Sequence, residues 1–231
     1  MKRVFMGRLT VLLSAVLIVS LGSIARADLV ITEVMSSSQH PGGPGNGDWF
    51  ELHNKGGVAI DLTGYYWDDN GPNGNDGAIF PAISLGAGDT IVIVNEDAAD
   101  LSTFVAAWGG GFTAISKDDF GGPDNFSGLS SNGDQIEIWD TDPNVGPANL
   151  VASVIFGAAD GTGSTFEWFR DGTADGFSVA GEFGAYVAPG DGIGGVGTDV
   201  GSPGLTAIPE PGSVSLLALF LIGLTNVRRR K

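Results

Sequence analysis

Between Asp28 and Gly204 the chain alternates short apolar, β-branched runs with clusters of glycine, asparagine, aspartate and proline. That punctuation constrains the fold most, because runs of this length bounded by turn residues form strands. "DLVITEVMS" predicts a strand over Leu29–Met35 and "DWFELHN" one over Trp49–Asn54. "VAIDLTGYYWDD" predicts a strand from Ala59 to Leu62 that Tyr65–Trp67 extends past Gly64. "AIF" and "AISLGAGDTIVIVNE" predict two strands folded about Gly86–Asp89, with Thr90–Asn95 as a core run. Asn132-Gly133 signals a tight hairpin, whose two central residues need positive φ. Gln135–Asp140 alternates, with Ile136 and Ile138 on one face and Glu137 on the other. "NLVASVIFG" and "STFEWFRDG" add two further strands. One helix stands out: Leu101, Phe104, Val105 and Trp108 fall at i, i+3, i+4 and i+7, after Asp100 as N-cap and before Gly109–Gly111 as stop. No repeat of 20 to 50 residues is present, which excludes a solenoid or propeller. The expectation is an all-β sandwich with one short helix.

The extremities read differently. Lys2, Arg3 and Arg8 precede the apolar run "LTVLLSAVLIVSLGSI", and Ala25 and Ala27 give the A-x-A pattern of a signal peptidase site. Residues 1–27 are therefore expected to be a signal peptide, with the mature chain starting at Asp28. At the other end, Gly212 to Val227 carries no charge and is followed by Arg228, Arg229, Arg230 and Lys231. A helix of that length reaches roughly 24 Å, against a bilayer core of about 30 Å. The span is marginal, with its basic end on the cytoplasmic side. Pro209-Glu210-Pro211 forms a stiff tripeptide just before it.

With the ends set aside, the charge becomes one-sided. Between positions 28 and 207 stand Lys55, Lys117 and Arg170 against 26 acidic residues, a net −23. Such a surface repels nucleic acid, whose binding needs clustered Lys and Arg, and attracts divalent cations or cationic partners. Cysteine is absent, so there is no thiolate chemistry, and the core must hold the fold without disulfides.

Two resemblances follow from these stretches. "VITEVM", "DWFELHN", "AIDLTGYYWDD", "LGAGDTIVIV", "LSSNGDQIEIWD" and Ser202-Pro203-Gly204, in that order, resemble a lamin-tail domain over residues 28–204. The resemblance implies an immunoglobulin-like β-sandwich used as a binding or structural module, with no catalytic residues to carry over. Pro209, Glu210 and Pro211, the apolar run, and Arg228, Arg229 and Arg230 resemble a PEP-CTERM sorting signal, covering residues 205–231 with its short transmembrane helix. That second resemblance implies recognition by an exosortase-type membrane protease. It also implies delivery to the cell surface, outer envelope or exopolysaccharide matrix of a Gram-negative-type bacterium, with a transient or retained membrane anchor.

Catalytic chemistry is sparse. His40 lies in "SSSQHPGGPG", a mobile-looking loop, and His53 in the second strand; surface or partly buried positions are expected for both. No G-x-S-x-G or H-E-x-x-H occurs. Oxygen donors cluster in "DDNGPNGND", making Asp68, Asp69, Asn73 and Asp76 calcium candidates, although Asp, Asn and Gly also build ordinary turns. "SKDDFGGPDN", with Asp118, Asp119 and Asp124, is a weaker candidate of the same kind. Trp49, Trp67, Trp139 and Trp168 have the chemistry of a sugar-stacking face, but core packing is the commoner use of a strand tryptophan. The expectation is an exported, non-enzymatic adhesion or scaffold module with no cofactor beyond calcium. Its partners would be signal peptidase, the exosortase, and exopolysaccharide or surface proteins. The alternative is an extracellular, calcium-dependent hydrolase acting on polymers.

Overall fold

The computed structural model describes residues 28–40, 47–70, 77–122, 126, 128–169, 171–190 and 198–205. The expected signal peptide and sorting tail lie outside the described residues, as do Asn73, Asp76 and Asp124. The strands are β1 (Leu29–Met35), β2 (Trp49–Asn54), β3 (Ile60–Asp61), β4 (Tyr66–Asp68), β5 (Ala78–Ile79), β6 (Ser84–Leu85), β7 (Thr90–Val94), β8 (Ala114–Ser116), β9 (Asp134–Trp139), β10 (Leu150–Phe156), β11 (Phe166–Trp168), β12 (Ala174–Phe177), β13 (Tyr186–Val187) and β14 (Val200–Gly201). One α-helix, α1 (Leu101–Ala107), joins β7 to β8.

A six-stranded sheet of order β12-β11-β1-β2-β7-β8 packs against a four-stranded sheet of order β10-β9-β4-β5. Pairing is antiparallel except between β7 and β8. The architecture is an immunoglobulin-like β-sandwich. Ile31, Val34, Phe50, Leu52, Ile91 and Ile93 face the second sheet, where Trp67, Ile136 and Ile138 meet them. The Trp67 ring lies 5.2 Å from that of Phe50 and 4.8 Å from that of Phe126.

The large sheet is covered on its other face too. Met35, Trp49, Val92 and Val94 form a second core with Phe104 and Trp108 at the helix end of the fold. Helix α1 spans almost the length its spacing predicts, and Asp100 occupies the N-cap position. Asp100 has α-region angles (φ −101°, ψ −11°) and makes no side-chain cap bond. The Leu101 N–H is met instead by the Asp97 carbonyl at 3.1 Å.

Several boundaries depart from the sequence reading. The strand expected from Ala59 through Trp67 is two strands in different sheets: β3 pairs with β6, and β4 with β5 and β9. The switch occurs at Gly64, whose φ of +78° a side chain would disfavour. The Gly86–Asp89 turn does not close a paired hairpin, because β2 and β8 occupy both edges of β7 and leave β6 to pair with β3. Asn132-Gly133 is a turn but not a two-residue hairpin. Gly133 N donates to Ser130 O at 3.1 Å, only Gly133 of the two has positive φ, and β9 finds its partners in β4 and β10. The short strands β8 and β12–β14 carry too few residues to show a period and are invisible in the sequence.

Trp49, Trp67 and Trp168 are buried, while Trp139 is half-buried on the outward face of β9. We expect Trp67→Ala to lower the unfolding free energy by about 3–5 kcal/mol in urea titration, because the cavity opens between the two sheets.

Candidate functional site

The six-stranded sheet carries a feature its sequence does not advertise. Glu33 sits opposite Glu51 across β1–β2 and opposite Glu167 across β1–β11. The three side chains form a row on the face away from the main core, and they are 1%, 0% and 3% exposed. The lysine ion pairs of the described residues use other carboxylates: Lys55 with Asp28 at 3.4 Å and Lys117 with Asp97 at 2.9 Å.

Hydroxyls and backbone amides hold the row. A β-bulge between Ile31 and Glu33 brings Thr32 round, and its Oγ1 donates to Glu51 Oε1 at 2.6 Å. Thr165 Oγ1 donates to Glu33 Oε1 at 2.6 Å and also contacts Ser178 Oγ. The remaining donors come from the end of the domain. Ser202 N donates to Glu33 Oε1 at 2.7 Å, and Gly204 N to Glu51 Oε2 at 2.6 Å. The approach needs glycine at 201, where a Cβ would come within 2.7 Å of Glu33 Oε1 and 3.0 Å of Thr165 Cγ2.

Ser202 Oγ lies 3.1 Å from Glu33 Oε2 and 3.2 Å from Glu167 Oε1. A hydroxyl has one proton, so it donates to one carboxylate and accepts a proton from the other. Burial, and then the neighbouring Glu51 charge, push the Glu33 carboxyl well above its usual 4.5. Burial also raises Glu167. The consistent arrangement has Glu33 protonated and donating to Ser202 Oγ, which donates to Glu167.

A second buried group lies nearby in the chain. Ser38 N donates to Asp48 Oδ1 at 3.1 Å, and burial raises the Asp48 carboxyl to about 7. Ser38 Oγ donates to Asp199 Oδ2 at 2.6 Å, and His40 N donates to Ser38 Oγ at 3.0 Å. His40 is thus fixed and buried rather than mobile. Its ring is 5.8 Å from that of Phe104, and its Nε2 is 3.8 Å from Glu96. The serine proton points to a carboxylate and the imidazole to Glu96, so Ser38 and His40 do not form a nucleophile–base pair. His53 is also fully buried, with Nδ1 3.2 Å from Asp89 O.

The acidic loop candidates are engaged locally. Asn70 N donates to Asp68 Oδ1 at 2.6 Å and Asn70 Nδ2 to Asp69 Oδ1 at 2.9 Å. Asp118 Oδ2 accepts from Ala98 N, while Asp119 Oδ2 and Ser116 form a capping box. Among the described residues, no group of three or more His, Asp or Glu side chains is placed to hold a metal ion. A cleft of about 520 Å³ beside Leu85, Phe112 and Leu205 contains one carboxylate, Asp89.

The strand reading missed the glutamate row because a mid-strand Glu ordinarily marks a solvent face. The available signal was the company these residues keep: Met35 and Trp49 share the row's face and demand cover. A family model described as Lamin Tail Domain matches residues 23–155, from before β1 to within β10. No curated protein matches the chain.

A carboxyl whose pKa is higher folded than unfolded favours folding fully below its ordinary value, and that contribution is lost as pH rises through the raised value. Glu33 and Asp48 both have this sign, so the melting temperature should fall as pH climbs from about 4 through about 7, where Asp48 titrates. Asp48 alone accounts for on the order of 4 kcal/mol between its ordinary value and about 7. Glu33→Gln retains an acceptor for Ser202 N and supplies the donor that protonated Glu33 supplies. Scanning calorimetry across pH should find this variant more stable than the parent at high pH, with a shallower slope; an unchanged slope would show that Glu33 is not the titrating group.

Proposed function

The chain belongs to the lamin tail domain family, and from that premise we propose that it is an exported, non-enzymatic binding or structural module displayed at a bacterial cell surface or in its polymer matrix. One observation carries the non-enzymatic part. The carboxylates and hydroxyls that could do chemistry are built into the fold, where Glu33, Glu51 and Glu167 hold the Ser202–Gly204 segment. The exposed face left for partners is acidic loop and strand edge.

The export part is supported by the two ends of the sequence. Ala25 and Ala27 would mark signal peptidase cleavage, and Pro209-Glu210-Pro211 with Arg228–Arg230 would present the tail to an exosortase-type protease. A domain of net −23 between them suits an aqueous, cation-containing exterior more than a nucleic acid or an anionic lipid surface. The tail follows Leu205 closely, so the bonds from Ser202 N and Gly204 N fix where it leaves the sandwich.

Intact-mass measurement of the protein recovered from cells tests both ends at once. The expected species begins at Asp28 and lacks the basic terminus. A species retaining Met1 would end the export reading, and one retaining Lys231 would end the sorting reading. Deleting residues 208–231 should abolish surface attachment while leaving the melting temperature of the domain unchanged.

A further inference from the structure

The two sheets of the sandwich differ in width, and the mismatch leaves a strand position open. The six-stranded sheet continues past β1 through β11 to β12, but the four-stranded sheet stops at β10, which packs over β1. Val34, Phe166 and Phe177 stand in register across β1, β11 and β12 on the inner face. Val34 is fully buried, Phe166 half-buried and Phe177 39% exposed, so cover thins outward from β10. The Phe166 and Phe177 rings lie 4.4 Å apart and form an apolar shelf beside the free edge of β10.

Among the described residues, that edge lacks the usual guards. Strand β10 pairs only with β9 among the described residues. It is seven residues long with no charge and no proline, and its outward Ile155 is 80% exposed. Natural edges are normally blunted by Lys, Pro, bulges or covering loops. The one bulge lies at the start of the strand, between Leu150 and Ala152, and leaves Ala152–Phe156 in regular register.

The surrounding charge selects the occupant. Asp140 and Asp142 flank the Leu150 end, and Asp134 and Asp160 flank the Phe156 end. A second copy pairing antiparallel about a two-fold axis would set these acidic ends against each other. We propose that the β10 edge, with its Phe166–Phe177 shelf, is a docking site for an extended segment of a partner protein, apolar at alternate positions and carrying lysine or arginine at both ends. The segment adds a fifth strand to the smaller sheet. Main-chain bonds to β10 supply affinity, one row of side chains covers the shelf, and the terminal cations meet the aspartates. The docking site specifies the binding-module reading without depending on export, so the purified chain tests it independently of the mass measurement.

The probe is a nonapeptide of alternating valine and threonine with two lysines at each end, titrated into the full chain while amide exchange is followed. Saturating peptide should slow exchange at residues 150–156 by about tenfold or more, and added salt should weaken it. Replacing the lysines with glutamates should remove the protection. Phe177→Ser should weaken binding about tenfold. Ile155→Lys, at a side chain that supports no core, should weaken it as well by opposing the peptide's lysines. Unchanged exchange at millimolar peptide would overturn the proposal. So would protection that grows with protein concentration alone, which would assign the edge to a second copy.

Discussion

Three buried glutamates stand side by side on the large sheet's face away from the main core, and no lysine ion pair of the described residues reaches them. Moving an isolated carboxylate out of water costs several kcal/mol even after relaxation, and like charges in one row add to that cost. The fold answers with a proton and with donors. Glu33 is held protonated by its surroundings, and Thr32, Thr165 and Ser202 contribute hydroxyls. The final donors are backbone N–H groups of Ser202 and Gly204, which only proline at those positions would remove. The end of the domain is consequently part of the row's solvation shell. If the segment lifts, the carboxylates lose bonds that water must replace.

The folded unit extends beyond the family match. The matched region ends at 155, within β10, yet β11 supplies Glu167 and the pairing partner of β1. A sandwich ending at β10 would leave one side of β1 unpaired and Glu33 without Thr165 or Ser202. Strands β11 and β12 therefore complete the six-stranded sheet, and β14 leads into the Ser202 and Gly204 donors. Gly201 is a tight point of that closure, since a Cβ there would crowd Glu33 and Thr165.

What the sequence disclosed follows the length of the apolar runs. Strands β1 and β2 fall where their runs place them, and β9 begins and ends within a residue of the expected span. Helix α1 was legible because Leu101, Phe104 and Val105 repeat at helical spacing and glycines follow. Two-residue strands such as β3 and β6 were not legible, because a pair of residues has no period and its partner is fixed by which edges remain free. The glutamate row was hidden for a different reason. Alternation tells which residues share a face, but not whether that face meets water. Over Glu33 it is the return of Val200–Gly204, more than 160 positions later, that makes the face interior, beside the cover Phe104 and Trp108 give Met35 and Trp49. The same limit hid the burial of His40, whose loop reads as glycine and proline but is anchored through Ser38 to Asp199.

The acidic character of the chain thus divides into two populations with opposite consequences. The interior carboxyls Glu33, Asp48 and Glu167 are raised in pKa by burial and favour the folded state most when protonated. Among the exterior ones, Asp61, Asp140 and Asp171 are held below the usual range by bonds from Thr63, Asn149 and Thr173. Those surface acids keep the molecule strongly anionic and discourage copies from meeting edge to edge. An uncharged strand edge within such a field is selective as well as exposed: like molecules are repelled before they can pair, and a cation-bearing strand is drawn in. The charge that opposes self-association is the same charge that gives the proposed β10 docking site its specificity.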